Sequence, residues 1–384
     1  IQDYVAWLIS SSRGLGAKTI NPGGVAALKE NVRAFNLDDT IPEYGVSARQ
    51  ISQKLRSALK GLGVPHPLHL HTCNLGIPGN VETALATIDA AEGEPVHLAH
   101  LQFYGYGAEG SFGMSSGAAQ LAEVLAKNKN VTADVGQVMF GPTVTVSSDA
   151  LLQFTARHRG SHKKFNIRDG DANGGGAVPH HYKASSKVAA LQWAIGMELF
   201  LLVDDPTQIY MTTDHPNGGP FTAYPDLIAQ LMDRSVRNAV IDQMPKETME
   251  VSTLPGIKRE YSLMDIATMT RSAPAKLLGT ADRGHLKPGG VGDVAIYRNS
   301  TDRAQMFAKA AWVLKDGTPI VRNGEVLSAR YGRTLSLAPD FDSGIKSHLN
   351  EMYGRRWGVA PDTFAVPTTL LRNTSPFEVV PCRS

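Results

Sequence analysis

Short apolar runs alternate with stretches of helical period from Ala17 to Asp214, and this alternation limits the folds open to the chain more than any other feature. The runs are Ala17–Ile20, Pro67–His71, Pro95–His100, Val131–Val135 and the segment from Gln208 that closes at Asp214. Between them, Ala48–Leu62 places Ile51, Leu55, Ala58, Leu59 and Leu62 on one helical face. Asn80–Ala91, Gly117–Ala126 and the apolar Val188–Leu202 also read as helices. A βαβα rhythm predicts a parallel sheet, and its length favours a barrel over an open sheet. Such a barrel has eight strands. The expectation is that the first strands precede Ile1, which is not a natural initiator and is followed by no signal-peptide pattern.

Three of these runs stop at a histidine, a histidine and an aspartate. Pro67-Leu68-His69-Leu70-His71 ends at Thr72-Cys73-Asn74, and Pro95-Val96-His97-Leu98-Ala99-His100 ends at Leu101-Gln102. Thr213-Asp214-His215-Pro216 opens into Asn217-Gly218-Gly219. Parallel barrels place their chemistry at the carboxyl ends of the strands, so His71, His100 and Asp214 form a candidate metal site. Two neutral imidazoles and a carboxylate suit zinc, with a coordination position left for water. Taken singly, each histidine also reads as a hydrogen-bonded strand-end residue, and Asp214 as a cap or turn residue. His69 shares a strand face with His71 and is expected a layer below, or as a donor behind a ligand. By the same alternation His97 falls opposite His100 and reads as structural, while His215 reads as a supporting group. Lys18 is ordinarily a solvated cation, but a desolvated lysine amine can react with carbon dioxide to give a carbamate able to bridge two metals.

Composition narrows the function classes. With 384 residues, 42% of them hydrophobic and 19% charged, the chain can bury a sizeable core. A net charge of +2 gives no reason to expect nucleic acid or an anionic membrane as partner. No apolar stretch approaches the ~20 residues that span a bilayer. Only Cys73 and Cys382 are present, which excludes a disulfide framework and favours the cytoplasm.

The rhythm fails between Phe140 and Tyr182, where His158, Arg159, His162, Lys163 and Lys164 precede a Gly-Asp-Asn segment. A loop of that length is expected to be a lid or binding loop, or to be disordered, and its charges read equally well as a solvated surface. After Thr270, short runs around Asp316-Gly317 and Asn323-Gly324 indicate a small β unit. The expected division is a barrel over 1–281, a β-sandwich portion over 282–330 and a tail over 331–384.

The order Lys18, His71, His100, Asp214 resembles the amidohydrolase superfamily, as does Ser272–Gly279 followed by His285–Gly289 and Asp293–Ile296. A narrower resemblance rests on Lys18–Gly24, His71–Asn80, Asp134–Gly141, Gln192–Glu198 and Thr212–Tyr224. These blocks are similar to the A subunits of formylmethanofuran dehydrogenases and of methylotroph formyltransferase/hydrolase complexes. The resemblance implies an α/β fold, a TIM-type (β/α)8 barrel of the amidohydrolase kind with a small C-terminal β-sandwich portion. It implies two Zn2+ ions held by a carbamate on Lys18 with His71, His100 and Asp214, and a His-x-His pair expected upstream of Ile1. Asp214 would act in proton transfer, and Asn74 would orient substrate. The implied reaction is hydrolysis of an N-formyl group on methanofuran or a related one-carbon carrier, within a complex of further subunits. Two alternatives are the hydrolytic half of a redox formylmethanofuran dehydrogenase and a non-catalytic scaffold.

Overall fold

The computed structural model of the chain describes residues 1–20, 22, 35–41, 44–146, 177–367, 369 and 377–382. The segment carrying His158, Arg159, His162, Lys163, Lys164 and the glycine run lies outside the described residues, as do Asn21, Gly23 and Gly24.

The five expected strands form one parallel sheet. They are β1 (Lys18–Ile20), β2 (Leu68–His71), β3 (Val96–Leu98), β4 (Val131–Asp134) and β5 (Ile209–Tyr210), paired side by side in chain order. Strands buried on both faces read as near-continuous apolar runs, which is why β3 is buried at all three residues. Helices connect the strands, as parallel crossovers require. Helix α1 (Gln2–Ser12) precedes β1, and α2 (Ala48–Gly61), α3 (Val81–Asp89) and α4 (Ala118–Lys127) lie between the next strands. At the start of α2, the Ser47 hydroxyl accepts from the Gln50 backbone and the Gln50 side chain accepts from the Ser47 backbone. This reciprocal cap satisfies two N–H groups that no helical turn can reach.

Helix α5 (Lys187–Leu202) is buried on every side from Val188 to Leu201. It packs against α4 and delivers the chain to β5. Among its apolar residues, the carboxyl group of Glu198 accepts from the Ser116 hydroxyl on one oxygen and from the Ser252 hydroxyl and Thr253 N and Oγ1 on the other, so both oxygens of this buried polar group are hydrogen-bonded. The main core runs through Leu68, Leu98, Ala133, Trp193, Leu199 and Ile209, between the sheet and this helix.

Gly141–Val146 pairs antiparallel with Ala177–Tyr182, so the described ends of the irregular segment form a two-stranded ribbon. Val294–Ile296, Trp312–Lys315, Thr318–Arg322 and Glu325–Val326 form a separate antiparallel sheet. Its turns contain Asp316 and Asn323 at positive φ, the two non-glycine types that tolerate that conformation best. Farther on, Thr334–Ser336 pairs with Phe377–Val379, and the helix Ile345–Trp357 packs Leu349 and Tyr353 on Trp7 of α1. No helix of the described residues is long and apolar enough to cross a membrane.

Candidate metal centre

Parallel pairing brings the histidines together in layers. Residues paired across parallel strands point to the same side, so Lys18↔His69 and His69↔His97 set a floor layer. Two residues farther along, Ile20↔His71 and Tyr210↔Asp134 belong to the layer above. The expectation that His69 sits a layer below His71 agrees with this register.

The upper layer gathers three of the expected residues. The rings of His71 and His100 meet edge-on with centroids 5.4 Å apart, and His100 Nε2 lies 3.2 Å from Asp214 Oδ1. The phenol of Tyr104 hydrogen-bonds the imidazole of His71. Asp214 Oδ2 accepts from Asn217 Nδ2 at 2.9 Å, and its backbone N–H donates to Thr212 Oγ1.

Both His100 and Asp214 lie just beyond their strands in the left-handed region, with φ of 51° and 49°. That region costs a non-glycine residue roughly 1–3 kcal/mol, so surrounding contacts must hold it. At His100 the backbone N–H donates to Asp134 Oδ1 at 2.9 Å, and Gly136 packs so closely that a Cβ there would sit 2.9 Å from His100 Cβ. This turn corrects the expectation that His97 and His100 face opposite sides. Strand alternation stops at Leu98, and the left-handed residue swings the His100 ring back over the face that carries His97.

Between the layers lies a group that the strand-end pattern does not single out, in which Asp134 of the upper layer reaches down to the two floor histidines. His69, His97 and Asp134 bring ligand-type atoms within 4.8 Å of one another, as a cation site would require. His69 Nε2 and His97 Nε2 are each 3.3 Å from Asp134 Oδ2, and His97 Nδ1 is 2.8 Å from Thr132 Oγ1. His66 adds a third ring, with centroids 5.8 Å from both His69 and His97. The sequence does carry a signal for Asp134: β4 ends in an acid and runs into Val135-Gly136, as β5 runs on to Asp214 and its glycines.

Burial sets the protonation states. It pushes the His97 and His100 imidazoles below their ordinary range, against the opposing pull of Asp134, and so favours the neutral form that binds metal. His66 is driven to about 4 by burial and by the neighbouring His97. Burial pushes the Asp134 carboxyl up, but His100, His69 and His97 together outweigh it and hold the group well below the usual carboxylate range. A second tyrosine, Tyr182 at the base of the ribbon, is fully buried, and burial together with Tyr106 and Asp214 holds its phenol protonated. The ribbon is fastened to the loop after Asp214 by a hydrogen bond from Thr143 Oγ1 to the carbonyl of Pro216.

The remaining expected residues fall as follows. Lys18 is exposed on the outer edge of the five-stranded sheet, yet close enough for its charge to act on His100. The desolvation that favours a carbamate is therefore not supplied by the described residues. Asn74 is buried at φ 63°, and its amide donates to Asn36 Oδ1 and Thr83 Oγ1 while accepting from Phe35 N. His215 Nδ1 accepts from Phe221 N, and its ring lies against Phe221.

The donor set fits a divalent cation of the zinc type, which takes imidazole nitrogen and carboxylate oxygen. His100 Nδ1 is buried with no hydrogen-bond partner among the described residues, which leaves a nitrogen lone pair or N–H of this ring unused.

Residues 1–321 match the amidohydrolase family. The chain is 48% identical over 390 residues to the A subunit of the formyltransferase/hydrolase complex Fhc of Methylorubrum extorquens, covering 100% of this chain and 71% of that protein. It is 33% identical over 386 residues to the protein FwdA of Methanocaldococcus jannaschii, covering 94% of this chain and 68% of that protein. The crystal structure of the formyltransferase/hydrolase complex (FhcABCD) from Methylorubrum extorquens in complex with methylofuran superposes with a TM-score of 0.92 at 49% identity. That match covers 100% of this chain and 71% of the chain matched. The five parallel strands are those of a TIM-type amidohydrolase barrel, as expected from the sequence. The chain belongs to the amidohydrolase family.

Proposed function

We propose that the chain is the metal-dependent hydrolytic component of a formyltransferase/hydrolase complex. In this reading it cleaves an N-formyl group from methanofuran or a related one-carbon carrier to give formate and the free amine. The observation that carries it is the convergence of His71, His100 and Asp214 at the strand ends of a chain so similar, over its whole length, to a component of a hydrolase complex. The further subunits and the small formyl carrier are its partners in this reading, and two cysteines outside any disulfide agree with a cytoplasmic setting.

His71, His100 and Asp214, with a carbamate on Lys18, would hold two Zn2+ ions. Bound zinc polarises a carbonyl oxygen and brings the pKa of water from ~15.7 to about 7. Asp214 takes a proton from the attacking water and delivers it to the departing nitrogen, so that the C–N bond breaks as an amine leaves. Its Oδ2 is held by Asn217, which leaves Oδ1 to face His100 and the reacting centre. Tyr104 fixes the ring of His71 through its phenol. Asn74 keeps residues 35 and 36 against the barrel mouth, and substrate is oriented through that segment.

The test is formate release from the formylated carrier by the full-length protein with its co-purifying subunits, before and after removal of metal. Formate release that persists undiminished in metal-free protein would overturn the reading.

A further inference from the structure

The floor of the site suggests a task for a residue that no part of the reaction uses. We propose that Asp134 is a positioning residue that fixes the left-handed backbone of His100, and is itself clamped by His69 and His97. This inference rests on the metal reading of the upper layer.

The hydrogen-bond inventory carries it. Asp134 Oδ1 accepts the backbone N–H of His100 at 2.9 Å, while Oδ2 faces His69 Nε2 and His97 Nε2 at 3.3 Å each. An ionised carboxylate accepts only, so both imidazoles must present N–H to it. His97 Nδ1 then takes the hydroxyl proton of Thr132 at 2.8 Å, and neither of its nitrogens has a lone pair to spare. That assignment argues against a cation on the floor, despite the short spacing of the three groups. It leaves Asp134 with three N–H donors and a fixed orientation.

The backbone completes the argument. A histidine at φ 51° persists only where neighbours hold it, and its N–H has this carboxylate oxygen as its partner. Gly136, two residues beyond Asp134, closes over His100 Cβ, so the same turn supplies both restraints. With His100 held so, its Nε2 lies 3.2 Å from Asp214, and the buried Nδ1 stays free of protein partners among the described residues. Groups that orient metal ligands from behind typically alter affinity about 10–100-fold when replaced.

The experiment compares full-length wild type with Asp134→Asn, His97→Gln and His97→Leu. Zinc affinity is read by chelator competition, melting temperature by calorimetry, and the His100 backbone by crystallography. Expected is a loss of about 10–100-fold in zinc affinity for Asp134→Asn, with little change in melting temperature and with His100 out of the left-handed region. His97→Gln, which keeps an N–H for Asp134, should stay near wild type, and His97→Leu should not. Unchanged zinc affinity together with an unmoved His100 in Asp134→Asn would overturn the proposal. So would an additional zinc equivalent in wild type that His97→Gln removes. A wild-type protein that takes up no zinc would sink the metal reading instead, and the His100 conformation would still decide this one.

Discussion

His100 Nε2 lies 3.2 Å from Asp214 Oδ1, although the two come from strands separated in the sheet by β4 and in the chain by the buried helix α5. The contact exists because both residues sit one turn beyond a strand end in the left-handed conformation, which folds each side chain inward over the barrel mouth.

Asp214→Asn removes the proposed proton carrier with almost no change in shape. Formate release is expected to fall roughly 10²–10⁴-fold, the range for a lost general acid–base group. Circular dichroism should show an intact fold. Activity within a few-fold of wild type would assign proton transfer elsewhere.

If Lys18 carries a carbamate, the full-length protein incubated with 13C-labelled carbon dioxide should give a carbamate resonance in carbon NMR, lost in Lys18→Met along with bound zinc. An unmodified lysine in zinc-loaded protein would show that the bridge is made by something else.

The pH dependence of stability should carry the mark of His66. Its folded-state value of about 4 lies below the ordinary ~6.5, so between those two values the unfolded chain binds the extra proton. Stability is therefore complete above about 6.5 and drains as pH falls towards 4, by on the order of 3 kcal/mol from this group. Urea unfolding at pH 7 and pH 5 should show the loss in wild type, and a smaller one in His66→Gln. Equal slopes in the two proteins would remove His66 as the cause.

Gly196 faces Gln137 inside the barrel wall, where a Cβ would come 2.0 Å from Gln137 Oε1. Gln137 Nε2 donates to the carbonyls of Val138 and Trp193, so the side chain cannot simply withdraw. Gly196→Ala is expected to destabilise by about 1–3 kcal/mol, the usual range for overpacking. A denaturation midpoint at or above that of wild type would contradict the close fit.

The strands and the upper layer are legible in the sequence because they depend on local signals. An apolar run that breaks at His71, or one that passes through Asp214 into glycines, states where a strand stops. The floor is not legible in the same way. Counting alternate residues past Leu98 sets His97 opposite His100, and alternation has no meaning once the chain has turned. Asp134 has the same acid-then-glycine exit as Asp214, but its importance lies in bonds to His69, His97 and His100 that only the register of three strands creates. Tyr104 and Tyr182 reach the centre from a short helical turn and from the far strand of a ribbon, neither of which carries a local mark of chemistry.

The in-phase pairing of β2 with β3, His69 opposite His97, has an evolutionary corollary. Losing or gaining one residue in the connection before Leu68 would leave helix content and sheet order intact while turning every imidazole of β2 towards the surrounding helices. Length variation in such a protein should therefore be tolerated on the far side of the helices and purged from that short connector, whatever the composition of either.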